Sequence, residues 1–349
     1  MTLKSDPGNF FEDFVVGDEL IHATPRTVTE ADAAIYTSLT GSRFALYSAD
    51  TFAQDCGLPS APIDPLLAFH VVFGKTVPDI SLNAVANLGY ADGRFLSPVF
   101  PGDTLRAVSE VIGVKENSNG KTGVVWVRTR GYNQENDEVL SYVRWVMVNK
   151  KDPSHPAPAT VVPELPQVVD PKELPERSLS GTEYNFVLAG SPFGFEDYEI
   201  GEKIDHVDAF TVEEAEHQIA TRLYQNTAKV HFNQYAQAQT PRGKRLIYGG
   251  VAISLARSLA FNGLANAAEI IAINAGQHVN PLGAGDTVFA WSEVLDKVDL
   301  GDGFGALRLR LVATKNRPCA DFPYKDAEGK HLPDVILDFD YWAAIPNRG

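Results

Sequence analysis

The sequence predicts two α+β units in tandem, each an antiparallel sheet wrapped around a long apolar helix. Three observations predict this class. First, the segment 11–18 returns 184 positions later as 195–202, with Phe11, Glu12, Asp13 and Gly17 recurring as Phe195, Glu196, Asp197 and Gly201. The register holds through His22 and His206, Thr27 and Thr211, Glu30 and Glu214, and Thr37 and Thr221. A later echo sets Pro98, Gly102, Asp103 and Thr104 against Pro281, Gly285, Asp286 and Thr287 after a slip of one residue. Second, each copy runs from a helix through an apolar helix into alternating strands. Third, prolines at 153, 156, 158, 163, 166, 171 and 175 mark an extended linker between the copies. The expected organisation is therefore an N-terminal unit over 1–150, a linker over 151–191 and a C-terminal unit over 192–349.

In the first copy, Thr29 is a fair N-cap for a helix in which Ala31, Ala34, Ile35 and Leu39 recur at helical spacing, and Gly41 ends it. From Pro65 to about Val72, Leu66, Leu67, Phe69 and His70 are apolar or aromatic on nearly all sides, the pattern of a buried helix. Val124, Trp126, Arg128 and Arg130 then precede a polar turn at 133–137. Val139, Tyr142, Val143, Trp145 and Val148 follow it, so the segment reads as a long antiparallel hairpin. The second copy repeats the order, with a helix near 211–223, an apolar helix over 250–263, a strictly alternating strand over 306–312 and its partner over 335–341. The linker is long enough for the two sheets to lie side by side as a pseudo-dimer.

Composition narrows the function. At 349 residues the chain suits two domains, and 44% apolar with 21% charged residues is a globular composition. A net charge of -15 argues against nucleic-acid and anionic-membrane partners, both of which need a basic face. The start lacks the apolar core of a secretory signal and no stretch approaches a membrane span, so the expected location is the cytoplasm. Cys56 and Cys319 are too few and too distant for a metal or redox motif and read as buried thiols. No His, Cys or carboxylate group has ligand spacing, so neither metal nor cofactor is expected.

The copies disagree most after the first helix. Copy one reads Gly41, Ser42 and Tyr47 where copy two reads Gln225, Asn226 and His231. The segment 224–233 resembles the signature of the MaoC-like (R)-specific enoyl-CoA hydratases, whose hot-dog domains carry Gly-Asp-x-Asn-Pro-aliphatic-His. On this resemblance the fold is a double hot-dog covering nearly the whole chain. His231 falls on the family's catalytic histidine, Asn226 on its catalytic aspartate and Val230 on the aliphatic position. Gln225, Ala228 and Lys229 depart from the pattern, and copy one, with Ser42 and Tyr47, is degenerate.

The implied activity is cofactor-free addition of water across the double bond of an enoyl-CoA thioester, the leading substrate being branched and carboxylated. Hydration of longer, uncharged enoyl thioesters, thioester hydrolysis, and acyl-thioester binding without catalysis stay as alternatives. Hydration needs a base for water, an acid for the α carbon and donors for the enolate oxygen. The family holds the thioester carbonyl at the N-terminus of the apolar helix, which points to Gly249 or Gly250, with Tyr248 alongside. A carboxamide is no base near neutral pH, so His231 takes the proton while Asn226 orients water or ring. The alternative base is Asp64, at the repeat position of Tyr248, which also reads as a helix N-cap. Arg242 and Arg245, in a dense basic cluster, and Arg222 and Arg94 are candidates for the CoA phosphates or a substrate carboxylate. The expected partners are the CoA thioester and a second copy in a homodimer.

Overall fold

The computed structural model describes residues 4–179 and 184–348. Helix α1 (Glu30–Thr40) begins where Thr29 Oγ1 accepts the Asp32 amide at 3.4 Å and Asp32 returns the bond to the Thr29 amide at 2.8 Å. It ends on Gly41 at φ 67°, a left-handed position that glycine takes without strain. A short helix α2 (Asp50–Asp55) follows. In α3 (Pro65–Thr76) proline occupies the first turn, where its missing N–H costs nothing, and Asp64 accepts the Leu66 amide at 2.8 Å. Every residue from 66 to 76 is buried, which explains why the sequence has no polar face there. A π turn, Val77–Ser81, closes this helix.

The first half contributes strands β1 (Glu19–Ile21), β2 (Arg26–Thr27), β3 (Ala84–Phe95), β4 (Thr104–Glu116), β5 (Thr122–Tyr132) and β6 (Glu138–Asn149). The linker carries a short α4 (Phe186–Ala189) near its end, and beyond it stand β7 (Lys203–Thr211), α5 (Glu214–Leu223), α6 (Lys229–Phe232), α7 (Gln234–Ala238) and α8 (Gly249–Leu259). After the short α9 (Phe261–Leu264) come β8 (Glu269–His278), β9 (Thr287–Gly301), β10 (Phe304–Lys315) and β11 (Val335–Pro346). Both expected hairpins form, β5 against β6 and β10 against β11.

The apolar helix of copy two stops earlier than its pattern suggests. Asn262 (ψ 100°) and Gly263 (φ 103°) leave helical geometry. The reason is tertiary: Asn262 Nδ2 donates to the His206 carbonyl at 2.9 Å, and His206 Nδ1 donates to the Asn262 carbonyl at 2.7 Å, tying this end to β7. The repeated histidines serve matching structural bonds, His22 Nε2 to Ser109 Oγ and His206 Nε2 to Ser292 Oγ, each 2.8 Å.

The strands form one sheet in the order β1-β4-β5-β6-β3-β8-β11-β10-β9-β7, with β2 beside β4. The two halves of that order mirror each other about the antiparallel β3–β8 pair, where Tyr90 faces Gly276 and Gly93 faces Ile273. The side-by-side arrangement expected from the repeat is thus a single continuous sheet. Helices α3 and α8 cover one face, and the main core lies there with Leu307, Leu309, Phe339 and Tyr341. On the opposite face Val169 of the linker packs with Ile271, Ala306 and Trp342. No helix among the described residues is long and apolar enough to cross a membrane.

Candidate active site

After α5 the chain turns through Gln225 at φ 52°, and the Asn226 amide returns to the Thr221 carbonyl at 2.9 Å. Asn226 Oδ1 then accepts the Ala228 amide at 3.0 Å, which starts α6 and carries His231 to the edge of a cleft. His231 Nδ1 lies 2.9 Å from the Leu246 carbonyl. A carbonyl only accepts, so Nδ1 carries the proton and Nε2 keeps its lone pair. The Leu246 amide answers to the Val230 carbonyl at 3.0 Å, so the ring's support is held from both sides. Burial pushes the imidazole down to about 4, against the opposing effect of the Leu246 bond, and the ring is neutral at ordinary pH.

The cleft encloses about 1060 Å³, mouth included. Asn226, His231, Tyr248, Gly249 and His278 come from the second half, while Phe73, Asn87, Tyr90 and Arg144 come from the first. Gly249 opens α8 on this wall, and its N–H has no acceptor among the described residues. A Cβ there would stand 2.3 Å from His278 Cε1, so only glycine lets the ring and the helix start share the wall. Gly250 is buried, and a Cβ there would meet Tyr248 and His70 at 2.3 and 2.5 Å. The Tyr248 amide donates to His217 Nε2 at 2.9 Å, and its ring stacks edge-on against His231 at 5.4 Å.

Asp64 does not reach this cleft. It caps α3, and its neighbours Pro62, Ile63 and Pro65 line a smaller cavity of about 500 Å³ with Tyr47 and Phe95. That cavity is the repeat image of the first: Tyr47 stands for His231, Pro65 for Gly249 and Phe95 for His278. Proline has no N–H, and tyrosine has no lone pair as basic as that of a neutral imidazole. Burial raises the Asp64 carboxyl to about 6, which reflects its enclosure in that half.

Arg94 is also elsewhere. It pairs with Asp92 and Glu173, each at 3.1 Å, and does not border the cleft. Arg222 lines a neighbouring groove with Lys75 and Gln225, which meets the cleft only at Asn226. Arg242 and Arg245 line a third groove with Lys244 and Lys315, and this one shares Pro281 and Leu282 with the cleft. Arg245 there is bound to Glu214 at 2.6 Å.

Arg144, Asn87 and His278 were not among the residues expected from the sequence. A signal for Arg144 existed. Leu140, Tyr142, Arg144, Val146 and Val148 share one parity of β6, so a guanidinium stands in an otherwise inward-facing row. Asn87 and His278 carried no comparable mark.

The mesaconyl-CoA hydratase family model matches the chain over residues 2–318. The β-methylmalyl-CoA dehydratase of Chloroflexus aurantiacus is 60% identical over 352 residues, covering 100% of both chains. The mesaconyl-CoA hydratase of Cereibacter sphaeroides is 62% identical, covering 99% of this chain and 100% of the relative. A solved MaoC domain protein from Chloroflexus aurantiacus superposes with a TM-score of 0.97 at 60% identity over 100% of both chains. A Mycobacterium tuberculosis protein with a double hotdog fold superposes at 0.77 over 97% of this chain and 98% of its own, at 24% identity. That last likeness is one of fold.

Proposed function

The chain belongs to the mesaconyl-CoA hydratase family, and we propose on that premise that it hydrates mesaconyl-CoA (2-methylfumaryl-CoA) reversibly to β-methylmalyl-CoA. It is a hydro-lyase of the double hot-dog fold. The observation that carries the mechanism is the pairing, on one cleft, of a neutral imidazole with a free Nε2 and a helix-start N–H with no acceptor.

In the reading we favour, water gives a proton to His231 Nε2 as its oxygen bonds to the β carbon, the one bearing the free carboxylate. The π electrons pass to the thioester oxygen, where the Gly249 N–H receives the developing charge. The enolate then collapses and takes a proton on the methyl-bearing α carbon, returned from His231 Nε2. Asn226 supports this in a definite way. Its Oδ1 is committed to the Ala228 amide, which leaves the buried Nδ2 without a partner among the described residues and, in this reading, a donor for the water oxygen. No cofactor is assigned a step. Arg242 and Lys244, at the groove that joins the cleft, suit the CoA phosphates.

The test follows absorbance of the conjugated thioester. The parent enzyme should consume mesaconyl-CoA with no free thiol released, and His231→Ala should lower kcat by about 100-fold or more, the usual worth of a general base. Arg242→Ala with Lys244→Ala should raise KM and spare kcat. An absent signal with every enoyl-CoA offered to the parent refutes the hydratase reading, and a normal rate in His231→Ala refutes the placement of the base.

A further inference from the structure

Two arginines are buried among the described residues, neither with a carboxylate of those residues within ion-pair distance, and of the two only Arg144 borders the cleft that holds His231. Arg257 donates to the carbonyls of Ala267 and Ala268. Arg144 is 0% exposed, yet no carboxylate of the described residues lies within ion-pair distance of it. Its Nη2 donates to Thr76 Oγ1 at 2.8 Å and lies 3.4 Å from Ser81 Oγ, both neutral hydroxyls, and its Nε has no partner among the described residues. The Phe73 ring lies under the guanidinium at 4.2 Å. Thr76 ends α3 and Ser81 ends the π turn, so this helix terminus is shaped around the cation.

Arg144 stands on the wall of the cleft that holds His231. On the neighbouring strand β3, opposite Val146, Asn87 places both amide atoms in the same wall, buried and without partners among the described residues. A buried guanidinium lacking a counter-charge is costly, and native structures rarely leave its donors idle without a functional reason. Its planar fork matches a carboxylate, and the adjacent amide can meet a remaining oxygen.

We propose that Arg144, with Asn87 beside it, is the subsite for the free carboxylate of the substrate and selects dicarboxylic enoyl thioesters over neutral ones. This deepens the hydratase reading and rests on it for the identity of the substrate. The carboxylate is attached to the carbon that receives the hydroxyl, so Arg144 fixes that carbon against the water held by His231 and Asn226, while Gly249 holds the thioester end. Sites built to pair a buried polar group reject analogues that lack its partner far more strongly than apolar pockets reject a missing methylene.

The test compares mesaconyl-CoA with 2-methylcrotonyl-CoA, in which a methyl group replaces the carboxylate. In the parent the dicarboxylic thioester should be preferred in kcat/KM, and Arg144→Gln should cut its value by about 100-fold while the neutral thioester changes by less than about 3-fold. Arg144→Lys keeps the charge without the fork and serves where the glutamine variant does not fold; it too must harm the dicarboxylic substrate selectively. Calorimetry with the unreactive pair methylsuccinyl-CoA and 2-methylbutanoyl-CoA reads the subsite without turnover. If the parent hydrates nothing but binds methylsuccinyl-CoA selectively through Arg144, the hydratase reading falls and the subsite stands. Equal losses for both ligands, or a preference that survives both substitutions, overturns the proposal.

Discussion

At the scale of the residue, the site turns on keeping one imidazole neutral. His231 is pushed to about 4 chiefly by burial, where a free histidine titrates near 6.5. A base that is already unprotonated at pH 6.5 gains nothing as pH rises through that value. We therefore expect kcat/KM to be flat from about pH 6 to 8, with its acid limb only as pH falls toward the folded-state value. Asn226→Asp would place a carboxylate on this wall, favour the imidazolium and move that limb upward. A pH profile of both proteins checks this, and an inflection near 6.5 in the parent would show that His231 is not the base. Stability has the same sign. His70 and His217 are held down to about 3 and His206, His231 and His278 to about 4, all first by burial. The unfolded chain binds more protons below about pH 6.5, so the stability these groups contribute is present above that pH and is lost as pH falls toward 4. Circular dichroism at each acidic point separates loss of the base from loss of the fold.

At the scale of the element, the two copies differ in how the same helix starts. α8 opens with Gly249, which presents an N–H to the cleft, and α3 opens with Pro65, which has none and leaves its cap to Asp64. Asp64 is thus the N-cap of α3. We expect Asp64→Asn, which can still accept the Leu66 amide, to keep turnover within about 2-fold, since loss of a true general base costs about 100-fold or more. Asp64→Ala removes the cap and should cost about 1 kcal/mol in denaturant unfolding. Turnover that collapses in the asparagine variant would make Asp64 the base after all. The contrast also shows what could be read beforehand. That His231 and Gly249 stand on one cleft was legible because a motif and a helix start are local features, and the repeat supplied a second copy to compare them with. Asp64 and Arg94 were misplaced because whether a charged side chain meets the cleft or another charge depends on which elements pack together. Arg144 stood at a legible parity, but its lack of a counter-charge is a property of packing alone.

At the scale of the molecule, the repeat foretold two units and the sheet joins them into one. Helix order and both hairpins follow from period and turn chemistry. The β3–β8 seam does not, because strand pairing between copies leaves no trace in either pattern. At the centre, repeat positions touch: His70 Nε2 lies 2.9 Å from Ser254 Oγ, a residue 184 positions later, and Tyr36 donates to that same hydroxyl at 2.9 Å. Equivalent positions can meet only near the axis that relates the halves, so α3 and α8 pack there and share one core. The cleft straddles the same seam, with His231 and Gly249 from one half facing Phe73, Asn87 and Arg144 from the other. Parting the halves would open a sheet edge along β8, expose the apolar side of α8 and remove one wall of the cleft. The second half should therefore be unable to work or fold alone although it carries both His231 and Gly249. We expect a single calorimetric transition whose measured and van't Hoff enthalpies agree, and no hydratase activity from residues 192–349 expressed separately. Two resolved transitions, or turnover by the isolated half, would mean that the first copy is a passenger rather than the wall against which the reaction is run.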